Sequence, residues 1–313
     1  MTSPLTALSW NIEKGIKGQQ AAAWVRAQQP DIFFQQELPP DQLTAQAERL
    51  GMDGYIAPCH PGRDDDLRDR HRNAIFLKRG GPLAFDEEFR QTWMPWSIAA
   101  NLTVRLRDAD GTLSPRRISC VSGQACYWNA GHRRDEARWC STLAKPGWLA
   151  VHFWDWNSYR VGDGPQNWSQ YTDHAYVAMR TYDHGGRRYS DDRPDREMLG
   201  AGYVEMACYA ANRLQQLNAT KAASGYRRRP GRPPGRRYCI DRGYLSAELT
   251  PALTGFEVCD TDGLRQISGH LPLRATFDTA VLRTVLHRDA AACPPHQNRH
   301  PQAPACQEGT LTA

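Results

Sequence analysis

Five polar residues in this sequence stand at the ends of short apolar runs: Asn11, Glu37, Asp155, Asp241 and His270. The runs include Leu-Thr-Ala-Leu-Ser-Trp before Asn11, Ile-Phe-Phe-Gln-Gln before Glu37 and Leu-Ala-Val-His-Phe-Trp before Asp155. Runs this short, bounded by Gly, Pro and polar clusters, read as buried strands rather than helices. One acid at a strand end is ordinary. Five such ends in one sheet assembly can converge on a rim, where loops carry function on a rigid scaffold.

The order of elements supports that picture. Residues 5–11 and 31–36 read as strands. Residues 19–29 between them are Ala-rich and helix-favouring, and Pro30 closes them. A helix over 41–50 and a strand over 73–78 follow. Residues 99–107 alternate apolar and polar, and the Asp110-Gly111 turn signal leads to a partner strand at 117–122. A helix over 133–144 ends at Pro146-Gly147, and 148–154 is an apolar strand. From 160 to 235 periodicity weakens, and only 201–217 reads as helical. Strands return at 238–246, 256–259 and 271–277. Many short strands with interspersed helices predict an α/β fold of the α+β kind, a two-sheet β-sandwich flanked by helices. Residues 1–278 are expected to form this domain. Residues 279–313 are expected to be a short helix and a disordered tail, since 293–313 hold four prolines and little apolar content.

Composition excludes several classes. With 40% hydrophobic and 23% charged residues the chain is neither disordered nor collagen-like. No apolar run reaches the ~20 residues of a membrane helix. The first ten residues lack the basic and apolar regions of a secretory signal, and the nine cysteines form no CxxC pair. A reduced, cytoplasmic protein is therefore expected, and the N-x-S/T sequons at Asn101, Asn167 and Asn218 read as chance. The net charge of +5 (39 Lys and Arg against 34 Asp and Glu) mildly favours an anionic partner.

The motifs, in order, are Ser9-Trp10-Asn11, Pro30-Asp31 through Gln36-Glu37, Asn73-Ala74-Ile75, Asp155-Trp156-Asn157-Ser158, Ile240-Asp241 and Ser268-Gly269-His270-Leu271-Pro272. This wording resembles the endonuclease/exonuclease/phosphatase superfamily, the deoxyribonuclease I-like fold, over residues 5–277. The resemblance implies Mg2+-dependent phosphoester hydrolysis, with Mn2+ as the alternative ion. It implies that Glu37 ligates the metal and Asn11 helps hold that shell. Asp155 would orient or deprotonate the attacking water, and Asn157 would donate to phosphate oxygens. His270 would act as general acid/base or phosphate donor, oriented by Asp241. A hard carboxylate suits Mg2+, which keeps waters for the phosphate, and a carboxylate commonly fixes an imidazole.

The chain also departs from the family. Gly269 stands where an Asp usually precedes the histidine. Phe153 and Trp154 replace two glycines and are expected to crowd the phosphate. Gln124 stands where a His is frequent and cannot carry positive charge. Restoring Asp at 269 and His at 124 is accordingly expected to raise activity. Glu13 is open between a second acid of the site and a surface acid. Asp64-Asp65-Asp66, flanked by Arg63 and Arg68, reads as a solvated loop. Trp10, Trp154 and Trp156 flank the proposed rim. Residues 226–237 hold six arginines and no acid, a flexible linker or a surface for a nucleic-acid backbone. Two functions from different classes remain: a phosphodiesterase or endonuclease acting on nucleic acid, and an impaired relative that binds nucleic acid or another anionic ligand.

Overall fold

The structure, a computed structural model, describes residues 3–61, 69–226 and 237–289. The Asp64–Asp66 run, most of the arginine-rich stretch and the expected tail lie outside these residues.

Two six-stranded mixed sheets face each other. The first contains β1 (Leu5–Asn11), β2 (Ile32–Leu38), β3 (Met52–Ile56), β4 (Arg72–Lys78), β13 (Leu253–Val258) and β14 (Leu273–Phe277), in the order β13-β14-β1-β2-β4-β3. The second contains β5 (Leu83–Glu88), β6 (Ala100–Leu106), β7 (Ile118–Gln124), β8 (Leu149–Asp155), β11 (Tyr203–Glu205) and β12 (Asp241–Ser246), in the order β11-β12-β8-β7-β6-β5. A short hairpin, β9 (Thr181–His184) with β10 (Arg187–Ser190), stands apart.

Each sheet contains one parallel pair joined by a helix. In the first, β1 and β2 are parallel and α1 (Gly18–Gln28) links them. In the second, β7 and β8 are parallel across α3 (Ala130–Ser141). Parallel neighbours require such a crossover and place their carboxyl ends at one edge. β14 and β12 run antiparallel to β1 and β8, so their first residues reach that same edge. The two edges meet: Gln36 Nε2 donates to Ser122 Oγ at 3.0 Å and Ser122 Oγ to the Gln35 carbonyl at 3.2 Å.

Between the sheets the apolar residues interdigitate, with Phe34 and Phe153 ring centroids 4.9 Å apart. Side chains of a strand alternate faces. Phe153 therefore lies in the inter-sheet core, while Trp154 turns to the outer face and stacks on Trp156 at 4.7 Å. Both are buried. This corrects the expected crowding of the site by Phe153 and Trp154. The helix α8 (Thr279–His287) adds Leu282, Val285 and Leu286 to the main core.

Several elements differ from expectation. β3 mixes Asp53 and Gly54 into its run, and β5 ends in acids, so neither shows a clear apolar pattern. The weak stretch contains α4 (His174–Arg180), the β9–β10 hairpin and α5 (Arg193–Gly200). In α5 charge pairs hold the exposed side, Arg134 to Glu197 and Arg196 to Asp192. The helix expected over 201–217 is split: 203–205 pair with β12, and Glu205 then caps α6 (Met206–Arg213) by accepting from the Cys208 amide. The expected helix over 41–50 is α2 (Leu43–Leu50), and a short helix α7 (Asp262–Ile267) precedes the His270 loop. No helix among the described residues is long and apolar enough to cross a membrane. Cys59, Cys120, Cys126, Cys140, Cys208, Cys239 and Cys259 are free thiols.

Candidate active site

All six expected site residues lie at the rim where the two sheets meet. Asn11 ends β1, and its side chain joins the sheets: Nδ2 donates to Glu37 Oε1 at 3.1 Å and to Asp155 Oδ2 at 3.0 Å. The Glu13 amide donates to Asn11 Oδ1 at 3.0 Å. A backbone N–H can only donate, so this contact orients the amide and turns its nitrogen toward the carboxylates. Asn11 thus positions two acids rather than offering them its oxygen.

Glu37 lies where β2 pairing with β4 shifts register between Gln35 and Leu38. Its φ of 59° places it in the left-handed region. A bulge re-aims side chains beside functional sites, and such a φ is uncommon for a non-glycine residue. Gln124, at the end of β7, donates from Nε2 to Glu37 Oε1 at 2.5 Å. Oε1 therefore accepts from both Asn11 and Gln124, and Oε2 has no hydrogen-bond donor among the described residues. Gln124 brings no charge, but its amide fixes the Glu37 carboxylate.

Asp155 ends β8 directly opposite Asp241, the first residue of β12. Asp155 Oδ1 accepts from the Asn157 amide at 3.1 Å, closing a tight Asx turn. Asn157 has φ 49°, which Asn tolerates better than most residues. His270 Nδ1 lies 2.9 Å from both oxygens of Asp241. Ligand atoms of Asp155, Asp241 and His270 all lie within 4.8 Å of one another, a group that could hold a metal ion.

Burial acts on these charges unequally. Burial raises the Asp155 pKa, and the charge of Asp241 adds to this, while His270 and Arg180 oppose it. Burial alone would pull the His270 pKa down. Asp241, by charge and hydrogen bond, overrides burial, and with Asp155 and Glu37 carries His270 to about 10. The imidazole is therefore a cation at neutral pH.

Three residues that sequence reasoning passed over or left open complete the rim. Arg180, the last residue of α4, donates from Nη2 to Asn157 Oδ1 at 2.8 Å and also bonds the Asn157 carbonyl. It follows no recognisable motif and sits in the stretch without periodicity. His71 precedes β4. Burial lowers its pKa, Glu37 raises it, and Lys14 and Arg70 lower it, so these groups share one electrostatic neighbourhood. Glu13 belongs to the rim rather than the open surface. Its Oε2 accepts from the Gly269 amide at 3.1 Å. A carboxylate from the β1 loop therefore already stands at position 269. Ser268 Oγ bonds the Asn11 carbonyl at 2.8 Å and Trp10 Nε1 the His270 carbonyl at 2.8 Å, tying the histidine loop to β1. Trp154 and Trp156, by contrast, pack behind the rim.

The sequence matches no family model and no curated protein. Solved structures do match over most of their length. An AP endonuclease from Archaeoglobus fulgidus shares 15% identity with a TM-score of 0.55, covering 88% of this chain and 100% of that one. An endonuclease/exonuclease/phosphatase from Bacteroides vulgatus shares 13% with a TM-score of 0.57, covering 88% and 99%. D. rerio TDP2, complexed with a single-strand DNA product, shares 15% with a TM-score of 0.54, covering 89% and 100%. The two six-stranded sheets, the flanking helices and these matches together give this chain the fold of the endonuclease/exonuclease/phosphatase proteins, the deoxyribonuclease I-like sandwich.

Proposed function

We propose that this protein is a Mg2+- or Mn2+-dependent phosphoester hydrolase whose substrate is a nucleic-acid phosphodiester. The observation that carries the proposal is the convergence of Glu37, Asp155, Asn157 and the Asp241–His270 pair on one rim, with Asn11 bridging the two acids. The matched folds named as an AP endonuclease, as TDP2 with DNA and as a mannosyl-6-phosphatase support phosphoester chemistry. The charge of +5 favours the polyanion among these substrates.

The donor set fits a hard divalent cation. Glu37 Oε2 lacks a donor among the described residues, which leaves it open to a cation, while burial, with the charge of Asp241 adding to it, raises the Asp155 pKa. Glu37 would hold the ion, which would supply neutralisation of the phosphate and the leaving oxygen. Asp155, with its raised pKa, is suited to take a proton from the attacking water. Asn157 uses one Nδ2 hydrogen on the Ala125 carbonyl at 3.0 Å, which leaves the second for a phosphate oxygen. His270 engages Asp241 through Nδ1, so Nε2 of the imidazolium is the donor to phosphate.

The test is hydrolysis of bis-p-nitrophenyl phosphate and of an oligonucleotide with Mg2+, with and without chelator. We expect chelator-sensitive turnover by the wild type and none by Glu37→Gln, with both proteins folded by circular dichroism. Wild-type activity in the Glu37→Gln variant at saturating Mg2+ would overturn the metal assignment. An inactive wild type that binds the oligonucleotide would make the chain a binding protein.

A further inference from the structure

Beside the acidic rim lies a cluster of aromatic rings that the core does not need. Tyr127 and Trp128 are 47% and 43% exposed, and Trp93 is 66% exposed. Trp96 meets Tyr127 edge-on at 5.3 Å and Trp128 edge-on at 6.4 Å, and His132 meets Trp128 at 5.5 Å. Edge-to-face packing lets these rings support one another, while the exposure of Tyr127 and Trp128 leaves flat apolar area in water. Exposed aromatic area of this kind marks an interaction site.

The cluster is tied to the site from both sides. The Ala125 amide donates to the Asp155 carbonyl at 2.8 Å, and its own carbonyl holds Asn157 Nδ2. Tyr127 is two residues further on, at most about 7 Å of chain. The Trp93–Trp96 loop is anchored by His60 Nε2 at the Met94 carbonyl (3.1 Å). Asn73 Nδ2 also bonds Ser97 Oγ (2.9 Å) and the Ile98 carbonyl (2.8 Å). Asn73 stands two residues from His71, which senses the Glu37 charge.

We infer that Trp96, Tyr127 and Trp128 form a stacking platform for unpaired nucleobases, so that the substrate is single-stranded nucleic acid whose backbone lies across the acidic rim. This rests on the phosphodiesterase reading. Aromatic faces recognise base faces, which a duplex hides within its own stack. Such contacts tolerate any base sequence. Lys14 and Arg70 act on His71, as Glu37 does, and Arg180 acts on Asp155, so the rim that a backbone would cross carries the cations it needs.

The experiment measures binding without turnover. Affinities for a single-stranded oligonucleotide, an abasic strand of equal length and a duplex are compared in chelator over a range of salt. The wild type is expected to bind the base-bearing single strand tightest. Tyr127→Ala and Trp128→Ala should each lose about 5- to 100-fold, toward the abasic level, with an unchanged salt slope because phosphate contacts persist. Trp128→Phe, which keeps a flat ring, should recover part of the loss, whereas a merely misfolded variant would lose slope and affinity together. Equal binding of abasic and base-bearing strands, tighter binding of duplex, or unchanged affinity in both alanine variants would overturn the platform. Diester turnover by the wild type is read separately. Turnover with unaffected variants sinks the platform alone, and base-dependent binding without turnover sinks the hydrolase reading alone.

Discussion

Arg180 shows how one side chain can set another's geometry. Its guanidinium spans the carbonyl and Oδ1 of Asn157, and Asn157 sits in the left-handed region beside Asp155. Lysine is a point charge and cannot span two acceptors in a fixed fork. Arg180→Lys should therefore lower kcat by roughly 10- to 100-fold with a smaller change in KM, since misplacing a catalytic group by about 1 Å can cost that much. An unchanged kcat would show that Asn157 is held by Ala125 and Asp155 without Arg180. Gly269 makes a related point in the opposite direction. From sequence, an Asp there rebuilds a missing carboxylate. In the structure Glu13 already meets the Gly269 amide, so a new carboxylate arrives beside an existing one. Gly269→Asp should then reduce activity at limiting Mg2+, and adding Glu13→Gln should restore it. A gain in the single variant would mean the two acids share a cation instead of repelling. The meeting of Asn11, Glu37, Asp155, Asp241 and His270 at one rim was legible because each closes or opens an apolar run, and Asn157 came in with the motif that follows Asp155. Arg180, Gln124 as an amide clamp and Glu13 as a partner of Gly269 were not, because their roles depend on residues 23, 87 and 256 positions away.

Among the elements, β7 and β8 fit each other at a single glycine. Gly123 pairs with Trp154 across the parallel ladder, and a Cβ on Gly123 would come within 2.3 Å of the indole ring. The indole is buried and stacked on Trp156, which holds it against that Cβ. Gly123→Ala should destabilise the fold by about 1–3 kcal/mol, the range for overpacking a tight core, read from urea unfolding. Because Gln124 follows directly, the variant should also weaken the clamp on Glu37 and lower activity in its folded fraction. Wild-type stability would show that the indole relocates freely. The parallel pairs were readable as apolar runs flanking a helical stretch, and the rim followed from them. The segment from 160 to 200 was not readable. Its order comes from pairing buried charges and aromatics rather than from periodicity: Arg133 with Asp191, Arg160 with Glu205, and Tyr159, Trp168, Tyr171 and Tyr176 in a small core of their own. Tertiary partners decide such a stretch, and propensity carries little of it.

At the scale of the whole molecule, a buried carboxyl group couples stability to pH. Glu136 of α3 is fully buried, and its Oε2 accepts from the Cys126 amide at 2.8 Å. It thereby holds the segment between Ala125 at the site and Tyr127 in the aromatic cluster. Burial pushes its pKa up from 4.5 to about 8, although the Cys126 amide and Arg133 favour the charged form. A folded-state pKa above the unfolded one means that the native protein binds the extra proton, so stability is greatest below the unfolded value and declines as pH rises toward 8. The decline attributable to this group is at most about 1.4 kcal/mol per pH unit. Glu136→Gln keeps a carbonyl acceptor for Cys126 and removes the titration. Its melting temperature should vary less between pH 5 and 8 and should exceed that of the wild type at pH 8. Parallel curves for the two proteins would show that Glu136 keeps its charge in the fold and that Arg133 balances it. If the curves converge at pH 5 and separate at pH 8, one buried proton links the stability of the sandwich to the loop that joins the acidic rim to its aromatic neighbour.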